Sequence, residues 1–262
     1  METNELNAEQ ARQAIVEHTR RLAESAAAAG PGAVVPTTPG WTVKELVEHL
    51  GQTQNWVAEI IERRITDPTR LPTEMAVLPT DPGEWPAWLA TSSRRVAAAC
   101  TDDALAAAPV FNAAGDERTG TQFWMSSSLN EAVVHGADAD SAAGRATDVD
   151  PAVAAALIDN HLAMLTSPTW RMLRSESADA ISGTGQTLQW RATDSDAAWF
   201  VERRPDGAVW RRGSQPADVT VSGPAGALLL TLTRRLPLAG VSVDGEAGLA
   251  QHWLDSTAHV AG

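Results

Sequence analysis

The spacing of apolar residues changes once along this chain, near Ser167-Pro168, and that change limits what each half can fold into. Before it, apolar residues recur every three or four positions, the period of a helix with one buried face. After it they alternate in short runs, the period of half-buried strands. Residues 7–29 read as a helix with Ala11, Ile15 and Leu22 on its apolar side, stopped by Gly30-Pro31-Gly32. Pro36-Thr37-Thr38-Pro39-Gly40 reads as a rigid turn. Thr42 then caps a helix to about Arg64, with Glu45 at the third following position. Further helices are expected at about 85–100, 121–139 and 151–165, with long loops at 66–83 and before Gly120. Beyond Ser167 the runs 187–192, 198–202, 208–211 and 219–221 read as strands, with Asp206-Gly207 as a hairpin turn. A helix at 225–235, a strand at 241–243 and a helix at 246–258 complete the pattern. The expected organisation is a four-helix bundle at residues 1–166 and a small α+β domain at 167–262 that closes over its cleft.

Composition narrows the function. Thirty-three acidic against twenty basic residues give a net charge of −13, a field that repels nucleic acid and anionic lipid. A small-molecule substrate is therefore expected, with no nucleic-acid or membrane partner, in a monomer or homodimer. The single Cys100 excludes an internal disulfide and a four-cysteine zinc site, and reads as a small buried hydrophobe. No basic-then-apolar leader opens the chain, and no apolar stretch approaches the roughly 20 residues that span a bilayer, so a cytoplasmic protein is expected. Ten Trp, three Phe and no Tyr exclude a tyrosine nucleophile and leave the tryptophans either to wall a pocket or to fill the core of an Ala-rich chain.

On a helical wheel, Val43, Leu46, Val47, Leu50, Val57 and Ile61 form the apolar arc of the second helix. His49 lies on its flank, in one stripe with Thr53, Trp56 and Ile60. Glu131 and His135 are one turn apart and share a face with Trp124, Ser127, Ser128 and Asp138. Two imidazoles and a carboxylate suit Zn²⁺ first, with Fe²⁺, Mn²⁺ or Ni²⁺ as alternatives. Spacing alone leaves a surface Glu-x-x-x-His pair as the commoner reading. His18, His161, His252 and His259 are scattered over other elements, and no Ser-His-Asp arrangement is apparent.

Three stretches carry a resemblance. They are Trp41-Thr42-Val43-Lys44-Glu45-Leu46-Val47-Glu48-His49-Leu50-Gly51 with Asn55-Trp56; Phe123-Trp124 leading to Glu131-Ala132-Val133-Val134-His135 and Asp138-Ala139; and Val221-Ser222-Gly223-Pro224-Ala225 leading to Arg234-Arg235-Leu236-Pro237-Leu238 and Val243-Asp244-Gly245. Together they resemble the mycothiol-dependent maleylpyruvate isomerase-like family, whose N-terminal domain is a DinB-like metal-binding four-helix bundle, here followed by a small sterol-carrier-like α+β domain. The resemblance implies that His49, Glu131 and His135 hold a divalent metal and that mycothiol is the thiol cosubstrate. It implies that Arg234 and Arg235 are the catalytic-site arginines that meet substrate carboxylates. Helix-face placement, read separately, leaves Trp56 and Trp124 as pocket walls or core, and makes Asp138, then more weakly Asn55 and Gln52, candidates for binding the cosubstrate, with a surface position for Asp138 the alternative. Asp138 could instead orient an imidazole. Family members commonly carry a basic residue after the second metal histidine, where this chain has Gly136, and Ser126-Ser127-Ser128 is small and uncharged. A dicarboxylate substrate is thus disfavoured. Thiol S-transfer to a small electrophile is expected, ahead of maleylpyruvate cis–trans isomerisation. A non-catalytic metal- or ligand-binding protein and a metal-dependent hydrolase are the rival classes.

Overall fold

A computed structural model of the protein describes residues 6–107 and 109–258. The chain divides into two compact units, one at Leu6–Thr147 and one running on from Asp148.

The first unit is helical. Its elements are α1 (Ala8–Ala29), α2 (Val43–Glu62), α3 (Trp85–Ala99), the short α4 (Asp102–Ala107) and α5 (Gly120–Ala142). Three of the long helices start on reciprocal capping boxes, Asn7 with Gln10, Thr42 with Glu45 and Thr119 with Gln122. Each pair satisfies two backbone N–H groups that the first turn would leave bare. Helix α1 packs on α3 and α5, and α2 packs on the same two, which makes a four-helix bundle. Ile15, Leu22, Leu46, Leu50, Ile60 and Leu89 are fully buried. Each such side chain stabilises the fold by about 1.5–3 kcal/mol relative to exposure. The apolar arc expected of α2 is buried in full, and His49 sits half-buried on its flank. Gln54 crosses the bundle core, donating to Thr19 at 2.7 Å and accepting from Ser92 at 2.7 Å, so its burial leaves no amide group unpaired.

The second unit contains α6 (Pro151–Leu165), the short α7 (Pro168–Leu173) and α8 (Ser175–Ala180), and a five-stranded sheet. The strands β1 (Thr187–Ala192), β2 (Ala198–Arg204), β3 (Gly207–Arg212), β4 (Val219–Gly223) and β5 (Ser242–Gly245) lie in the order β3-β2-β1-β4-β5. Strand β4 runs parallel to β1, and every other pairing is antiparallel. Helix α9 (Ala225–Leu232) connects β4 towards β5, and α10 (Ala247–Ser256) follows. The hairpin expected at Asp206-Gly207 joins β2 to β3, with Gly207 at φ 132.

Two expectations need correction. The unit boundary falls at 147/148 rather than 166/167, because α6 packs on α9 and belongs with the sheet. Its Asp159 accepts hydrogen bonds from Trp199 of β2 and Arg212 of β3, each at 2.8 Å. Helical periodicity shows that a face is buried and is silent about which neighbour buries it. The helix expected at 225–235 ends at Leu232. Arg234 takes a left-handed φ of 63, and the Arg235 N–H returns to the Leu230 carbonyl at 2.7 Å while Arg234 N–H bonds Thr231 at 3.0 Å. That pair of bonds is a Schellman stop, built with arginine where glycine is usual.

Candidate metal centre

Helices α2 and α5 meet side by side, and their facing side chains form two rungs. The first joins His49 to Glu131 and the second joins Trp56 to Trp124, seven residues further along α2 and seven back along α5. Seven residues are two turns, about 10 Å of helix, so the matching intervals are those of antiparallel neighbours. Thr53, Ser127 and Ser128 lie between the rungs, and the Ser128 hydroxyl is buried without a hydrogen-bond partner among the described residues.

At the first rung three side chains converge. His49 Nε2 lies 2.8 Å from Glu131 Oε2, and His135 Nε2 lies 3.2 Å from the same oxygen. One ligand atom from each of the three falls within 4.8 Å of the others, the only such grouping of His, Cys, Asp or Glu among the described residues. The second nitrogen of His135, Nδ1, lies 2.8 Å from Asp138 Oδ2. Asp138 is fully buried, and its other oxygen accepts from the Thr37 hydroxyl. A carboxylate on Nδ1 fixes that nitrogen as the donor and leaves Nε2 to face the centre, the arrangement that commonly backs a metal-bound histidine.

The electrostatics agree with this reading. Burial works to raise the Glu131 carboxyl, but hydrogen bonds from His135 and His49 outweigh it and hold the group well below the usual carboxylate range. Burial works to lower His135, yet the Asp138 and Glu131 carboxylates dominate and raise it to about 9. A positive charge is thus stabilised where the three ligand atoms meet. A divalent ion satisfies that demand with donors of the right kind, two imidazole nitrogens and one carboxylate, so the residues fit the group.

The other expected site residues are distributed as follows. Trp56 and Trp124 pack edge to face with centroids 5.3 Å apart, and each indole N–H is held by a loop carbonyl, Pro72 at 2.9 Å and Phe111 at 2.8 Å. Asn55 turns away from the triad. Its amide donates to the Gly51 carbonyl at 2.9 Å and accepts from Arg95 of α3 at 3.1 Å, so it is a poor candidate for holding a cosubstrate. Asp138, buried behind His135, holds an imidazole rather than facing a ligand. Arg234 and Arg235 lie in the turn after α9, in the other unit, where Arg235 donates to the Thr233 carbonyl at 2.9 Å. Cys100 is fully buried and its thiol is pushed up to about 12, so it is no nucleophile. Of the scattered histidines, His18 and His161 are buried and His252 faces the Ala180 carbonyl at 2.9 Å. His259 lies outside the described residues.

Sequence reasoning passed over Thr37 and Trp41. The Trp41 ring lies 4.9 Å from His49 and 5.7 Å from His135, nearly parallel to the latter at 28°. A signal existed: Trp41 immediately precedes the N-cap Thr42, and an apolar residue there folds back over the first turn of its helix.

Comparison with known proteins gives a family model, described as the mycothiol maleylpyruvate isomerase N-terminal domain, that matches residues 12–140. No curated protein matches the chain. Among solved structures, a UbiJ-SCP2 ubiquinone synthesis protein is 17% identical over 44% of this chain and 95% of its own, with a TM-score of 0.30. The stereoselective inverting sec-alkylsulfatase Pisa1 from Pseudomonas sp. is 16% identical over 82% of this chain and 45% of its own, with a TM-score of 0.31. Scores that low carry no argument about fold or function.

Proposed function

Residues 12–140 belong to the mycothiol maleylpyruvate isomerase N-terminal domain family, and from that premise we propose that the protein is a metal- and mycothiol-dependent enzyme that transfers the thiol to a small electrophile. The observation that carries the proposal is the convergence of His49, Glu131 and His135 on one point, with ligand atoms within 4.8 Å of one another. Three protein ligands leave a coordination position for an exogenous group, whereas a structural zinc site closes with four. A divalent cation there, Zn²⁺ by ligand type, supplies the charge that favours a thiolate over a thiol at neutral pH.

The chain's own residues have distinct tasks in this reading. Asp138 keeps the proton on His135 Nδ1, so that Nε2 keeps its lone pair for the ion. Trp41 covers one side of the two imidazoles and excludes water there. Thr53, Ser127 and Ser128 lie between the triad and the Trp56–Trp124 pair, and this stretch is where we place the acceptor. Addition of a thiolate to an activated carbon needs little further acid–base help, and the site offers little. In transfer the new sulfur–carbon bond persists. In isomerisation it forms, allows rotation and breaks again. The family description favours isomerisation, but Gly136 and the uncharged Ser126–Ser128 run provide no clamp for two carboxylates, and we place transfer first. We read the helical unit as DinB-like and the protein as cytoplasmic, where a small-molecule thiol is available. No helix among the described residues is long and apolar enough to cross a membrane.

The test is incubation of metal-loaded protein with mycothiol and a panel of epoxides, Michael acceptors and maleylpyruvate, followed by mass analysis. A retained thiol adduct is the expected product. Conversion of maleylpyruvate to its trans isomer with no adduct would replace transfer by isomerisation. Turnover undiminished without any thiol would defeat both.

A further inference from the structure

We infer that the turn from Val35 to Trp41 is a positioning element for the metal ligands, acting through Thr37 on Asp138 and through Trp41 on both imidazoles. The inference rests on the reading of His49, Glu131 and His135 as ligands. The turn is closed on itself. Thr38 N–H donates to the Val35 carbonyl at 3.1 Å, Trp41 N–H to Thr38 at 2.8 Å, and Val35 N–H to Trp41 at 2.9 Å. Pro36 and Pro39 each fix a φ angle, and the Val34–Thr42 bridge ties the ends together. Val35 is fully buried and anchors the turn in the bundle core. A loop so restricted has little freedom left to lose, so its side chains are held almost as firmly as those on a helix.

Two of those side chains reach the centre by different routes. Thr37 donates to Asp138 Oδ1 while Asp138 Oδ2 meets His135 Nδ1 at 2.8 Å. With both oxygens engaged, the carboxylate cannot rotate away from the imidazole it orients. Trp41 works on the rings directly, tilted at 54° against His49 and nearly parallel to His135. The two imidazoles themselves meet edge to face, with centroids 4.9 Å apart. Among the described residues no carboxylate backs His49 as Asp138 backs His135, so the indole face is what limits its rotation on that side. Both ligand rings are therefore set before an ion arrives, one by a hydrogen-bond chain and the other by an aromatic surface from the same turn.

The test uses the full chain loaded with Co²⁺ for its visible spectrum and with Zn²⁺ for its rate of release to a chelator. Thr37→Val keeps the shape of the side chain and removes the donor, and Thr37→Ser restores the donor. Trp41→Leu keeps apolar bulk on the core and removes the ring. We expect Thr37→Val and Trp41→Leu to release Zn²⁺ about 10-fold or more faster than wild type, the effect usual for groups behind metal ligands. Their Co²⁺ bands should shift, while Thr37→Ser stays close to wild type and the metal-free melting temperatures change little. Wild-type release rates and spectra in both variants overturn the inference. Should Trp41→Leu not fold, Trp41→Met, which fills the volume without a ring, decides: faster release supports the role and unchanged release removes it. A wild-type protein that takes up no Co²⁺ overturns the metal reading itself, a result distinct from variants that behave like wild type.

Discussion

His135 and His161 are both buried, and their surroundings push them in opposite directions. His135 lies between two carboxylates and is raised; His161 on α6 is surrounded by apolar groups, its Nε2 has no partner among the described residues, and burial lowers it to about 4. The consequence for stability follows from proton linkage. An unfolded His161 titrates near its ordinary value of 6.5, so between that value and about 4 the unfolded chain binds the proton that the folded chain refuses. Its full contribution to stability holds above pH about 6.5 and is lost as pH falls through about 4. We expect His161→Leu to melt at a similar or higher temperature than wild type at neutral pH, since the change also removes an unpaired buried nitrogen. Its melting temperature should then fall less steeply on acidification. Parallel curves for the two proteins would contradict this assignment. At this scale the grouping of His49, Glu131 and His135 was legible in the sequence, because Glu131 and His135 share a helix face whatever the fold and the motif around His49 supplied the third member. Thr37 was not legible: which carboxylate a turn hydroxyl meets is set by tertiary packing, here across a separation of 101 residues.

Helices α2 and α3 cross where Gly51 faces Trp88, and a Cβ at Gly51 would lie 2.0 Å from the indole ring. The glycine is there for close approach rather than for a turn. Gly51→Ala gains helix propensity of about 1 kcal/mol but forces the ring to move, an overpacking cost of about 1–3 kcal/mol. We expect net destabilisation, read as a lower urea midpoint at unchanged slope, and partial recovery in the double variant with Trp88→Leu. A midpoint at or above wild type would show that the ring moves freely. Elements whose signals are local were read closely from the sequence. Strand β1 occupies the alternating run Thr187–Ala192, and α2 begins at its capping box. Elements whose ends depend on backbone conformation were not, and the arginine-built stop after α9 is the clearest instance. The short helices α4, α7 and α8 have six residues each, too few for periodicity to distinguish them from loop.

At the scale of the molecule, the division at 147/148 makes a prediction about fragments. Val153, Leu157, Ile158, Leu162 and Leu165 of α6 are buried within the second unit. A fragment ending at 147 should be soluble and cooperative in unfolding, whereas one ending at 166 carries the apolar face of α6 without α9 and should aggregate or bind a hydrophobic dye. The reverse pattern, with the longer fragment the better behaved, would restore the boundary read from the sequence. Charge, cysteine count and the change of apolar period had already fixed the broad class, a helical unit followed by a mixed one. The allegiance of α6 could not be read, because both candidate partners offer an apolar surface. The central claim is that the helical unit holds a divalent ion on His49, Glu131 and His135. Calorimetric titration of Zn²⁺ into chelator-stripped protein tests it most directly. One ion per chain should bind the wild-type protein, with binding lost or greatly weakened in His49→Ala and His135→Ala while each variant keeps its helical circular dichroism. Absence of saturable binding in the wild type, or undiminished binding in both folded variants, would contradict it.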